Sequence, residues 1–173
     1  FEKTLKIRFD ILGPEHPVSL SSHNNLARAF CAAGDFTRSI DLYEQLIADT
    51  IRAKGEDSPD TFTARNDLAY VYTMAGHSNI ASSLFMQVLE DRIRVLGIDH
   101  PETLASRNNL IAPFLTAHRP AQAVELLEYL LEDCLRILGV DHSLTTTVGE
   151  NLEEARRELA QQKGESRAEE SDA

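Results

Sequence analysis

One spacing runs through most of the chain and limits what it can fold into. Glycines recur every 42 residues, and proline, asparagine, leucine and aromatic residues keep the same interval. A period of this length is typical of stacked supersecondary units, because no single unit can bury its apolar face alone. The recurring positions are Gly13, Gly55, Gly97 and Gly139; Pro17, Pro59 and Pro101; Asn24, Asn66 and Asn108; Leu26, Leu68, Leu110 and Leu152; and Phe30, Tyr72 and Phe114.

The apolar residues inside each unit follow the period of a helix. Leu26, Phe30 and Ala33 are spaced at i, i+4 and i+7, and a second helical set begins at Ile40. A proline at the opening of the first segment and Gly34 after it mark the two ends of a helix. The sequence therefore predicts two helices per unit, a helix A at about 17–33 and a helix B at about 36–53 in the first unit.

Stacking of these pairs predicts an all-α fold, an α-α superhelix of antiparallel helix pairs. Small residues stand where neighbouring helices must approach to about 8–10 Å. These residues are Ala27 and Ala69 in helix A, and Ser39, Ala81 and Ala123 in helix B.

The period also divides the chain. We expect an array over 1–162, with a partial helix B at 1–12, full repeats at 13–54, 55–96 and 97–138, and a capping helix within 139–162. The chain would then be a fragment that begins in mid-repeat. Residues 163–173 lack large apolar side chains and are predicted to form a disordered acidic tail. In the third unit, Pro113 falls inside helix A, so we expect a kink or an early helix end near Asn109 to Ala112.

The pattern resembles the tetratricopeptide repeat (TPR). Leu26-Ala27 with Phe30 in helix A, followed by Ser39 with Tyr43 in helix B, fit its motif, and residues 68–85 repeat it. The common TPR period is 34. A 42-residue unit with Leu-Gly-x-Asp-His-Pro at 96–101 and Asn-Asn-Leu at 108–110 is similar to the kinesin-light-chain subclass, which also recurs in bacterial multidomain proteins. The resemblance covers about residues 1–160 and implies a protein-binding fold without naming a partner.

Composition excludes several classes of protein. The chain has 17 basic and 28 acidic residues, a net charge of −11, which opposes binding to nucleic acid or to an anionic membrane surface. No apolar run is long enough to span a bilayer, and the first residues show no basic region followed by an apolar stretch, so we expect neither a membrane span nor a signal peptide. Cys31 and Cys134 form no metal or disulfide motif, so we expect a cytoplasmic protein.

The recurring asparagines are the candidate binding residues. Asn24, Asn66 and Asn108 lie off the apolar face of helix A, on a stripe that in a TPR superhelix lines the concave groove. The resemblance implies that such asparagines hold the main chain of an extended peptide, and an amide can both donate and accept hydrogen bonds. The alternative is that they bond neighbouring repeats. Arg28 and Tyr70 lie on the same stripe and complete the predicted peptide-binding set.

Other polar positions point to structure. His16, His100 and His142 recur at one register, so they lie too far apart to share a metal ion and are expected to help helix A begin. Arg65 and Arg107 lie one position off the stripe and are expected to be solvated. No arrangement typical of a catalytic or phosphate-binding site is visible, which predicts a protein without enzymatic activity, metal or cofactor.

Two functions remain open at this stage. The first is a non-catalytic interaction module whose concave groove binds a segment of another protein. The alternative is the regulatory or self-assembly TPR region of a larger bacterial signalling ATPase, for which homo-oligomers are expected.

Overall fold

A computed structural model of the chain describes the backbone of residues 2–171 and the side chains of residues 2–164. Over this range the secondary structure is entirely helical. The helices are α1 (Glu2–Leu12), α2 (Pro17–Ala32), α3 (Phe36–Lys54), α4 (Pro59–Met74), α5 (Ser78–Leu96), α6 (Pro101–Asn109), α7 (Ile111–Thr116), α8 (Pro120–Ile137) and α9 (Ser143–Ser171). The predicted all-α architecture of antiparallel helix pairs is confirmed.

The helix ends follow the punctuation of the sequence. Helices α2 and α3 lie within one residue of the predicted bounds. Gly34 and Gly76 follow helix A of the first two repeats with φ of 78° and 79°. This left-handed conformation closes a helix and is costly for residues with a Cβ atom. His118 occupies the same register in the third repeat with φ of 55°.

The chain divides into two compact units, unit 1 up to Val95 and unit 2 from Leu96. In unit 1, α2, α3 and α4 enclose a core. In unit 2, α6, α7, α8 and α9 enclose another. The unit 1 core contains Leu20, Ala27, Tyr43, Leu46, Ala64, Leu68 and Val71. The unit 2 core contains Leu104, Ile111, Ala123, Leu127, Leu130, Cys134, Val148, Leu152 and Ala155.

The small residues lie where helices come together, as predicted. Ala27, Ser39, Ala69, Ala81 and Ala123 are all fully buried. The Ser39 hydroxyl donates a hydrogen bond of 2.9 Å to the Ala27 carbonyl, which joins α3 directly to the backbone of α2. A larger side chain at either position would separate the two helices.

The third helix A is interrupted as predicted. Helix α6 ends at Asn109 and α7 begins at Ile111. Asn109 is four residues before Pro113, and its carbonyl is the one that a proline ring would meet in a continuous helix. Restarting the helix places Pro113 in the first turn of α7, where the missing N–H needs no partner within the helix.

The C-terminal tail differs from its prediction. Helix α9 continues to Ser171, so residues 163–171 are helical in the structure instead of disordered. Lys163, Arg167 and three glutamates of this segment have good intrinsic helix propensity, and the helix extends well beyond Ala155, the last buried residue among the described side chains. Residues 172 and 173 of the predicted tail lie outside the described residues.

Candidate functional site

Histidine or serine caps each helix that begins a repeat. The Nδ1 atoms of His16, His100 and His142 accept hydrogen bonds from backbone N–H groups two residues on, at 3.1–3.2 Å. Ser58 makes the corresponding bond in the second repeat. Such bonds satisfy N–H groups that a helix leaves free at its start. These histidines therefore start helices, as the sequence indicated.

A chain of ion pairs recurs in every repeat. An aspartate near the end of helix B pairs with an arginine three residues on, and that arginine pairs with an acid in the loop before helix A. In the second and third repeats, the aspartate also pairs with an arginine of helix A. The aspartates are Asp49, Asp91 and Asp133; the helix B arginines Arg52, Arg94 and Arg136; the loop acids Glu15, Asp57 and Asp99; and the helix A arginines Arg65 and Arg107.

The sequence analysis expected Arg65 and Arg107 to be solvated, but both form ion pairs in the structure. Arg65 lies 3.0 Å from Asp91, and Arg107 lies 2.6 Å from Asp133. Both guanidinium groups tie helix A to helix B of the same repeat. The sequence pattern did not predict these ion pairs, because the partners are 26 residues apart in the chain.

Histidine replaces arginine at this position in the first repeat. The His23 ring is buried, and its Nδ1 atom lies 3.7 Å from Asp49 Oδ2. Neither ring nitrogen makes a hydrogen bond within the described part of the chain. Burial lowers the pKa of His23, and the neighbouring Asp49 carboxylate opposes that shift. The ring of Phe9 packs edge-on against the His23 ring, with 5.5 Å between the ring centroids.

Four of the five predicted binding residues lie in unit 1. Asn24 and Arg28 are on α2, and Asn66 and Tyr70 are on α4. Both asparagines are half-buried, whereas Arg28 and Tyr70 are exposed. Helices α2 and α4 pack side by side, so these side chains lie on adjacent A helices.

Asn108 lies near the end of α6 in unit 2, and its partner is known. The Asn151 Nδ2 group on α9 donates a 3.0 Å hydrogen bond to Asn108 Oδ1. This bond joins successive A helices. At Asn108 the structure therefore matches the alternative interpretation, in which the amide bonds a neighbouring repeat.

Asn24 differs from Asn108. Its Oδ1 atom is buried, and no described residue donates a hydrogen bond to it. Asn24 lines a cleft of about 180 Å³ between α2 and α4, which we call the α2–α4 cleft. The lining residues are Pro17, Leu20, Ser21, Asn24, Leu46, Thr50, Lys54, Asp60, Thr63, Ala64 and Asp67.

Asp67 is one of two carboxylates on the α4 wall of this cleft, the other being Asp60. The Tyr43 hydroxyl of α3 donates a hydrogen bond to its carboxylate, and the positive charge of Arg28 acts on it from α2. Burial nevertheless raises the pKa of Asp67 above its usual range, against the effects of Arg28 and Tyr43. The same burial, together with the charge of Asp67, raises the pKa of Tyr43.

This architecture is similar to that of known repeat proteins. A family model described as tetratricopeptide repeat matches residues 20–93. Two crystal structures of nearly identical TPR-like repeats of the kinesin light chain type from Podosopora anserina, one a point variant, are 27% identical to this chain. Each match covers 98% of this chain and 80% of the other, with TM-scores of 0.73 and 0.72. Residues 20–93 therefore carry tetratricopeptide repeats, and the chain as a whole is similar to repeats of the kinesin-light-chain-like type.

A third structure shares the TPR fold alone. BtubC (BKLC) from P. vanneervenii is 17% identical, with a TM-score of 0.70, and the match covers 92% of this chain and 63% of that one. The search among curated proteins returned no significant match. TPR folds are in general protein-interaction scaffolds. Among the described helices, none has both the length and the apolar character needed to cross a bilayer.

Asp67 was missed by the sequence analysis, although a signal for it exists. It stands one position after the TPR asparagine column, where the other repeats carry Asn25, Asn109 and Asn151. An acid in a column of amides indicates that this position carries a negative charge in the second repeat alone among the four copies.

The sequence analysis also missed a column of threonines. Their hydroxyl groups donate hydrogen bonds of 2.8 Å to glycine carbonyls and so fix the loop before helix A. The pairs are Thr61 with Gly55, Thr103 with Gly97, and Thr145 with Gly139.

Proposed function

We propose that this TPR chain is a non-catalytic interaction module that binds a peptide segment of a partner protein along its A helices. The observation that carries the proposal is the α2–α4 cleft with Asn24 on its wall. A buried acceptor without a donor costs about 1–3 kcal/mol. The terminal amide of asparagine turns readily, so a peptide N–H entering the cleft can supply the missing donor.

The other predicted residues extend this surface along α2 and α4. Arg28 and Tyr70 are exposed at the same register of successive A helices and offer a guanidinium group and an aromatic ring to a ligand. Asn66 lies one turn before Tyr70 on α4. Asn108 contributes less in this proposal, because its carbonyl oxygen already accepts from Asn151. The peptide-contacting set is therefore centred on unit 1.

The proposed role requires neither a metal nor a cofactor, and we propose a cytoplasmic location. Support for a reducing compartment comes from Cys31 and Cys134, which are both free thiols. Burial raises the pKa of each thiol, which keeps it protonated and unreactive near neutral pH.

The test is selection of random peptides of about ten residues, a length suited to a few adjacent A helices. Enriched peptides are synthesised, and their affinity is measured for the native chain and for Asn24→Ala and Tyr70→Ala. We expect each substitution to weaken binding by about tenfold. Asn79→Ala is the matched control, because Asn79 is exposed on α5 outside the cleft.

Two outcomes contradict the proposal. One is the absence of any enriched peptide. The other is a peptide whose affinity is reduced no more by Asn24→Ala than by Asn79→Ala. A concentration-dependent dimer in sedimentation, formed by a chain that selects no peptide, would instead favour the alternative self-assembly role.

A further inference from the structure

The walls of the α2–α4 cleft present hydrogen-bond acceptors. The Ser21 hydroxyl donates to the Pro17 carbonyl at 2.9 Å, and the Thr63 hydroxyl donates to the Pro59 carbonyl at 2.9 Å. The Thr50 hydroxyl at the base donates to its own helix in the same way. Because a hydroxyl has one proton and two lone pairs, each of these oxygens remains an acceptor toward the cleft.

Carboxylates add negative charge to these acceptors. Asp67 is partly removed from water, and Asp60 lies at the mouth of the cleft beside Lys54. The Lys54 ammonium pairs with the Asp60 carboxylate. The chain's own lysine therefore shows the type of group that this rim accepts. Arg28 acts on Asp67 from an exposed position on α2, without removing the effect of burial on the carboxyl.

The base of the cleft is apolar apart from Thr50. Leu20, Leu46 and Ala64 line it beneath the polar rim. An apolar base beneath acceptors and a carboxylate matches a long cationic side chain, whose methylene groups pack on apolar atoms while its charged end makes hydrogen bonds. The volume of about 180 Å³ leaves room for one side chain and excludes a folded element.

We infer that the α2–α4 cleft receives a lysine or arginine side chain of the bound peptide, so that the partner segment is basic. This inference rests on the proposed peptide-binding function and specifies its ligand. The cationic end forms an ion pair with the Asp67 carboxylate. The Ser21 and Thr63 oxygens and the Asn24 amide carbonyl accept hydrogen bonds from its N–H groups. The net charge of −11 favours approach of a basic segment over an acidic one.

The test compares two libraries of random peptides on the native chain. Both contain peptides of about ten residues. One library includes lysine and arginine, and the other excludes both. We expect enrichment only from the first library, with a basic residue at one position in most of the selected sequences. The affinity of a synthesised peptide should then fall by about tenfold or more on Asp67→Asn and when its basic residue is replaced by norleucine.

Asp41→Asn is the matched control. It removes the same charge from an exposed carboxylate of α3 outside the cleft, and should change the affinity by about twofold or less. Equal weakening by Asp67→Asn and Asp41→Asn would mean that overall charge holds the peptide, and would overturn the inference. Helicity and the thermal midpoint are measured for each variant. If Asp67→Asn is unfolded, Asn24→Ala replaces it with the same expected loss.

The two proposals fail in different ways. Equal enrichment from the library without lysine and arginine would overturn the basic-ligand inference while leaving peptide binding intact. Enrichment from neither library would overturn both.

Discussion

Helix A of the second repeat and helix A of the third repeat occupy the same register but differ in construction. In unit 1, α4 runs unbroken from Pro59 to Met74. In unit 2, the equivalent segment divides into α6 and α7 around Leu110. Val71 and Pro113 occupy corresponding positions, and both are buried. The comparison teaches that the TPR core needs a buried side chain at this position, whereas it does not need continuous helical hydrogen bonds along the backbone there.

A proline placed in α4 should give the largest effect. We expect Val71→Pro to lower the free energy of unfolding by about 3 kcal/mol or more, because Val71 lies well inside the helix and its N–H is lost. Urea unfolding followed by circular dichroism measures this. The reciprocal Pro113→Val should stabilise the chain and increase hydrogen-exchange protection between Asn109 and Pro113. A cost below about 1 kcal/mol for Val71→Pro would show that unit 1 tolerates the same break.

The turn after helix A offers a second contrast. Gly76 has φ of 79° in the second repeat, and His118 has φ of 55° in the third. We expect His118→Gly to stabilise the chain by about 1 kcal/mol, because glycine adopts this conformation without steric cost. Gly76→His should destabilise by a similar amount.

Open space surrounds Gly76, with no atom within 4 Å of an added Cβ, so its substitution tests the backbone alone. Differential scanning calorimetry measures both changes. A lower thermal midpoint for His118→Gly would contradict the expectation.

The asparagine column separates structural from ligand-binding roles. Asn108→Ala removes the acceptor for Asn151, and we expect it to cost about 1 kcal/mol. Asn24→Ala removes a buried oxygen to which no described group donates, so we expect the free energy of unfolding to rise, by up to about 1–3 kcal/mol. Equal costs measured by urea unfolding would remove the distinction between the two positions.

Acid should affect the two units at different pH, and this effect is expected to be the smallest. Burial lowers the pKa of His23 below its ordinary value of 6.5, so the unfolded chain binds a proton more readily than the folded chain. The free energy of unfolding of unit 1 should therefore fall as the pH drops below 6.5, until the lowered pKa of the folded state is reached. The loss is complete below that point.

Unit 2 carries Arg107 at the corresponding position, where it pairs with Asp133. Its Asp133 has a pKa held below 3.8 by hydrogen bonds from Arg136 and Arg107, so this contribution is lost only as the pH falls from about 3.8 through that lowered value. Hydrogen exchange at pH 7.5 and pH 5.5 checks the difference between the units. His23→Gln should remove the contribution of His23 to this pH dependence. Asp67, whose raised pKa stabilises the fold at lower pH, is present in both the native chain and His23→Gln, so its contribution cancels when the two are compared. Identical behaviour of His23→Gln and the native chain would contradict this assignment.

Much of the fold could be predicted from the sequence because it depends on neighbours within one helix or turn. The helix starts at Pro17 and Pro59, the turn at Gly34 and the break before Pro113 all follow from local backbone chemistry. Local chemistry did not determine where the last helix ends. The charged segment after residue 162 is compatible with both disorder and helix, and it continues as helix to Ser171.

The sequence by itself determined the repeat, its helices and the column in which the candidate residues stand. Only the tertiary structure decided what each copy of that column does. Asn108 meets Asn151 across 43 residues, whereas Asn24 faces a cleft with Asp67 on the opposite helix. Likewise, Arg65 reaches Asp91, and the equivalent His23 is buried without a hydrogen bond among the described residues. The physical reason is that hydrogen bonds and ion pairs act over a few ångströms, and packing of separate helices sets those distances.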